Sequence, residues 1–139
     1  MNSIIRSFLV LFVFSFFLST ACNDKGGGTT PPVVAEENLV ISIEPDPGAT
    51  VVKALGATFD FKLNIISKIP PQGVTITVTY KKDSDNTTLF SQTLQSSSTP
   101  VNISISNIPQ NDVGTVIITV TSKSKASNTA TKSFKLTRK

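Results

Sequence analysis

From Leu39 onward, apolar side chains fall on every second position. Leu39, Ile41 and Ile43 form one such run, and Phe59, Phe61, Leu63 and Ile65 a second. Val74, Ile76, Val78 and Tyr80 make a third, and Phe90 with Leu94 a weaker fourth. Val101, Ile103 and Ile105 follow, then Val116, Ile118 and Val120, and finally Phe134 with Leu136. A period of two belongs to strands, whose successive side chains point to opposite faces. The runs are rich in β-branched and aromatic residues, which suit a pleated, half-buried surface. Turn-forming clusters separate them: Pro45-Asp46-Pro47-Gly48, Pro70-Pro71-Gln72-Gly73, Asp83-Ser84-Asp85-Asn86, Pro109-Gln110-Asn111-Asp112 and Ser127-Asn128. No stretch carries a helical stripe. Seven or eight strands with one buried face each predict two packed antiparallel sheets, an all-β sandwich over residues 38–139.

Upstream of Leu39 the pattern is different. Met1 to Arg6 supplies an amine and one Arg, and Phe8 to Leu18 is apolar apart from Ser15. Eleven helical residues rise only about 16 Å, roughly half a bilayer core, so an export signal over residues 1–21 fits better than a spanning helix. Ser19-Thr20-Ala21 are small, as a signal-peptidase site requires, and the next residue is Cys22, the single cysteine of the chain. With these residues the N-terminal fifth resembles bacterial lipoprotein precursors, although Ser19 stands where their motif usually has an aliphatic residue. The resemblance implies a diacylglycerol on the Cys22 sulfur, an acylated amine and attachment to a membrane, with the outer membrane or cell surface as the expected location. A lone Cys in an exported chain has no disulfide partner, which agrees with acylation. Residues 22–37, with Gly26-Gly27-Gly28 and Pro31-Pro32, are expected to be the lipidated Cys followed by a flexible tether. The Lys-Ser/Thr that a phosphate-cradling Gly loop needs is absent.

Residues 39–139 resemble the bacterial immunoglobulin-like domains of exported proteins. The segments that carry this are Gly56-Ala57-Thr58-Phe59-Asp60-Phe61 and Val113-Gly114-Thr115-Val116-Ile117-Ile118-Thr119-Val120. The chain lacks the Cys pair and the Trp that pin antibody domains, and it has Val116 where many of these domains carry a Tyr. The resemblance implies an immunoglobulin-like β-sandwich that binds, adheres or spaces, with an unidentified protein or glycan as ligand. The alternative is an accessory subunit of an envelope or surface assembly that uses strand addition at a sheet edge. A monomer is expected for the first reading.

Composition narrows the chemistry. The chain has no His, which removes Ser-His-Asp and Cys-His arrangements and imidazole base catalysis. Zinc finds neither His nor a free Cys. Ser122-Lys123-Ser124-Lys125 holds the letters of a Ser-Lys pair but reads as a solvated loop. No enzyme activity and no cofactor beyond the covalent lipid are therefore expected. The net charge is +4, and Lys123, Lys125, Lys132, Lys135, Arg138 and Lys139 follow Asp112 with no intervening acid. Nucleic acid is not an expected partner, because aromatics fall at core parity and export separates the chain from it. Lys on a final edge strand instead discourages edge pairing.

Alternation of strand direction sorts the loops into two ends. Lys68 to Gly73, Gln95 to Pro100 and Ser122 to Asn128 share the end where the tether enters, with Lys68, Lys123 and Lys125 as its charges. The other end receives the acids Glu44, Asp46, Asp83, Asp85 and Asp112. Asp83, Asp85 and Asn86 in one turn, helped by Glu44, Asp46 or Asp112, are candidate ligands for a weak calcium site, since calcium takes six to eight oxygens at about 2.3–2.6 Å. Asp is also a favoured turn residue, so ordinary turns remain the competing account. Finally, Thr75, Thr77 and Thr79, with Ile117, Thr119 and Thr121 and with Thr131, Ser133 and Lys135, share one outer sheet face.

Overall fold

A computed structural model describes residues 35–139. The segment expected to be an export signal, Cys22 and most of the stretch expected to be a tether lie outside the described residues. The described chain is all β, with eight strands: β1 (Ile41–Glu44), β2 (Val52–Ala54), β3 (Phe59–Ile65), β4 (Val74–Lys82), β5 (Thr88–Ser96), β6 (Val101–Ile105), β7 (Gly114–Ser122) and β8 (Thr129–Arg138). One sheet has the order β1-β3-β6 and the other β2-β8-β7-β4-β5. Seven of these strands coincide with the seven alternating runs.

The eighth, β2, is three residues long and was not among the alternating runs, since a period of two needs more residues to show. It also corrects the antiparallel expectation: β2 pairs with β8 in parallel, with Val52 opposite Leu136 and Ala54 opposite Arg138. The reason is directional. The seven longer strands alternate, so the first and the seventh run the same way. An N-terminal segment that reaches the last strand must therefore lie parallel to it. Every other strand pair is antiparallel.

The expected parity holds. Val74, Ile76, Val78 and Tyr80 of β4 and Val116, Ile118 and Val120 of β7 are fully buried, while the Thr residues between them are partly exposed. Ile41, Ile43, Phe61, Leu63, Ile65, Ile103 and Ile105 close over them from the three-stranded sheet. Between the sheets sits a ring cluster. Phe59 and Phe61 of β3 lie 6.0 Å and 5.8 Å from Phe134 of β8, the latter pair edge-on at 88°. Such aromatic pairs contribute about 0.5–1.5 kcal/mol beyond their buried area, and they join the two sheets where no disulfide does.

Tyr80 lies directly opposite Val116, so the tyrosine of this core comes from the strand beside β7. Its hydroxyl donates to the Leu136 carbonyl at 3.2 Å, and burial, then Asp112 and Asp83, push its pKa up. The ring takes the space above Gly114: a Cβ there would land on the ring and 2.5 Å from the Lys81 carbonyl oxygen. Gly73, at φ 77°, is required for a similar reason, because a Cβ would stand 2.5 Å from the Ser96 carbonyl oxygen.

A polar clasp holds the entry of the chain. Asn128, only 5 % exposed, accepts from the Leu39 N–H at 2.8 Å and donates to the Glu37 carbonyl at 2.8 Å. Ser67 Oγ accepts from the Val40 N–H at 3.2 Å beside it. The clasp thus reaches Glu37, a residue of the stretch expected to be the tether.

Candidate functional site

The loops sort into two ends as expected. At one, the Asp83 N–H donates to the Val113 carbonyl at 3.0 Å and the Ile108 N–H to the Ala57 carbonyl at 3.2 Å. At the other, the Lys123 N–H reaches the Gly73 carbonyl at 3.1 Å and the Ile65 N–H reaches Thr99 Oγ1 at 2.9 Å. The second end is not free of acid, because the Glu37 carboxylate accepts there from the Lys68 N–H at 3.1 Å.

Four acids of the first end, Asp83, Asp112, Asp85 and Asp46, are engaged separately. Lys135 Nζ lies 2.6 Å from Asp83 Oδ2, and Thr115 Oγ1 donates to Asp83 Oδ1 at 2.6 Å. Lys135 also donates to Thr115 Oγ1 at 2.8 Å, which closes a three-membered network across β7 and β8. Lys82 pairs with Asp112 at 2.9 Å. Asp85 accepts from the Thr87 N–H and Asp46 from the Gly48 N–H, both at 2.9 Å, as local turn bonds. Asn86 adopts φ 59° in the β4–β5 turn, and Glu44 stands opposite Lys62 in the other sheet. Among the described residues no three acids converge in a metal-holding group. Calcium at Asp83 would have to compete with the Lys135 ammonium and the Thr115 hydroxyl for the same two oxygens. The sequence puts Lys135 on the outer face and on a final edge strand, but β8 is not outermost: it has β7 on one side and, at Leu136 to Arg138, β2 on the other. The partnership of Lys135 with Asp83 follows from register, since Lys135 lies opposite Thr115.

The hydrogen bonds from Lys135 and then Thr115 hold the Asp83 carboxyl below its ordinary value of 3.8. A carboxyl lowered by folding contributes stability above its unfolded pKa and loses it as pH falls through the folded one. The melting midpoints of wild type and Asp83→Asn should therefore differ most above pH 3.8 and converge as pH falls below it. A gap that stays constant through that window would show that the carboxylate charge is not what the network uses.

The Thr face is built as expected and extends further. Thr77 lies opposite both Thr93 of β5 and Thr119 of β7, and Thr119 lies opposite Thr131 of β8. Four Thr thus form a row across four strands, with Thr119 and Thr131 hydroxyls 3.4 Å apart. Lys123 closes one corner by donating to Gln95 Oε1 at 3.0 Å. On the outer side of the other sheet, Glu44, Asp60, Lys62, Asn102 and Ser104 line an open groove of about 350 Å³. It carries both signs of charge and is also lined by Pro45, Phe61 and Ile103.

The remaining surface feature is the edge of the larger sheet. β5 is nine residues long and has β4 on one side only. No family model and no curated protein matches the chain.

Proposed function

We propose that this chain is an exported lipoprotein whose Cys22 carries the lipid and whose residues 38–139 form an immunoglobulin-like module for binding, adhesion or spacing at the outer membrane or cell surface. The observation that carries the anchor is the single Cys directly after a short apolar run and Ser19-Thr20-Ala21. Two or three acyl chains, at about 0.8 kcal/mol per buried methylene, hold a protein stably on a membrane. The strand order supports the immunoglobulin-like reading: three strands face five, and the first strand segment divides itself between the sheets through β1 and β2. Catalysis has no support in the side-chain inventory, and the membrane-attached module acts by its surfaces.

Cys22→Ser should move the protein from the membrane fraction to the soluble exported fraction, and the wild-type N-terminal peptide should carry the mass of a diacylglycerol. Full membrane retention of Cys22→Ser, with no lipid mass on the wild type, overturns the anchor. A second reading, the accessory subunit that adds a strand at a sheet edge, is favoured by the long open edge of β5.

A further inference from the structure

Edge strands expose unpaired N–H and C=O groups, and folded proteins usually blunt them with charge, proline or brevity. Three edges here are blunted. β2 has three residues and Lys53, β1 has four and Glu44, and β6 has five and follows Pro100. β5 has no charge, proline or brevity, and its one register shift, at Leu89, lies near its start and leaves Phe90–Ser96 in regular pairing with β4. None of the chain's 13 basic and 9 acidic residues falls between Asn86 and Asn111, so β5 carries no charge anywhere along its length.

The direction of its free groups can be worked out. The Gly73 carbonyl accepts from the Lys123 N–H on the β7 side. Backbone groups alternate along a strand, so Val74, Ile76, Val78 and Tyr80 turn theirs toward β5. Their partners there are Ser96, Leu94, Gln92 and Phe90. Ser91, Thr93 and Gln95 consequently turn their N–H and C=O groups outward to the open edge. On the core-facing side, Phe90, Gln92 and Leu94 remain only partly buried, since nothing pairs beyond them.

We propose that the β5 edge pairs with the β5 edge of a second copy of this chain, antiparallel and centred on Gln92. The strand is self-complementary in that register. Ser91 meets Thr93 of the other copy, and Thr93 meets Ser91, so each outward N–H and C=O finds its counterpart. Phe90 meets Leu94 twice, once on each side of the two-fold, in non-hydrogen-bonded pairs where side chains approach most closely. Gln92 faces its own copy at the axis. With no charge on the strand, self-pairing brings no like charges together. A two-fold isologous contact also closes, giving a dimer and not a fibre. This inference departs from the monomer expected from sequence. It rests on the sheet-edge reading above and is independent of the lipid anchor. One strand pair buries less than a standard interface of about 1,600 Å², so association should be weak and concentration-dependent.

The test places a benzophenone-bearing amino acid at Gln92 of the full chain, with irradiation in the cells that express it. An adduct of twice the chain's mass is expected. Thr93→Pro removes an outward N–H without touching the β4 ladder, and Leu94→Lys puts a charge against Phe90 of the second copy. Each should reduce that adduct at least roughly tenfold. Thermal melts of both variants check folding, and Thr93→Pro keeps the test decisive if Leu94→Lys unfolds. An adduct of a different mass overturns self-pairing but leaves strand addition by another protein standing. No adduct at any mass, with the variant protein folded, overturns both.

Discussion

Ile118→Ala is expected to lower the unfolding free energy of the described domain by about 2–5 kcal/mol in a urea titration. Ile118 is fully buried at the centre of β7, opposite Val78 on one side and Lys132 on the other. Truncation removes three carbons from between two sheets that already pack closely, and neighbouring β-branched side chains have little rotamer freedom with which to fill the space. Ile117 provides the internal comparison. It lies on the Thr-bearing face and is only partly buried, so Ile117→Ala should cost clearly less. Equal losses at the two positions would mean that both faces of β7 are core, and the sandwich would need a third layer.

Asn128→Ala should cost about 2–4 kcal/mol, an unusual loss for a residue in a turn. The substitution removes both long-range hydrogen bonds to the entry segment and leaves the buried Leu39 N–H without an acceptor. Stranding the buried Leu39 N–H costs about 1–3 kcal/mol, and losing the part-buried bond to the Glu37 carbonyl adds about 0.5–1.5 kcal/mol. The loss should appear in urea titrations, together with faster hydrogen exchange at Leu39 and its neighbour Val40. Unchanged stability and exchange would show that the entry segment is fastened by β1 pairing alone.

The contrast between these two positions shows what a single sequence can express. Ile118 was legible because burial on one face writes a period of two, repeated over nine residues of β7 and nine of β4. Asn128 was legible only as a turn residue, since its partners are 89 and 91 positions away and leave no local signature. β2 stayed hidden because three residues are too few to show alternation, and its parallel pairing depends on the whole strand count. Ile108 is almost fully buried yet stands alone among turn residues beside Pro109. The sorting of loops into two ends did follow from strand alternation. What could not follow was that Asp83 would find Lys135 and Thr115, because that depends on register between strands distant in sequence. The openness of the β5 edge likewise requires knowing which strands are outermost.

The Asn128 clasp also has a mechanical meaning. Any tension delivered through the segment before Glu37 reaches the two Asn128 bonds before it reaches a sheet. Beyond them, for a pull along β1, its ladder to β3, from Ile41–Ile65 to Glu44–Lys62, would share the load in shear. Bonds loaded together resist more than bonds opened one after another. The far end of the described chain is tied down separately, where the Lys139 N–H donates to the Ala54 carbonyl at 3.0 Å. A module tugged by its leading end would therefore load the clasp first and the whole β1–β3 ladder together after it.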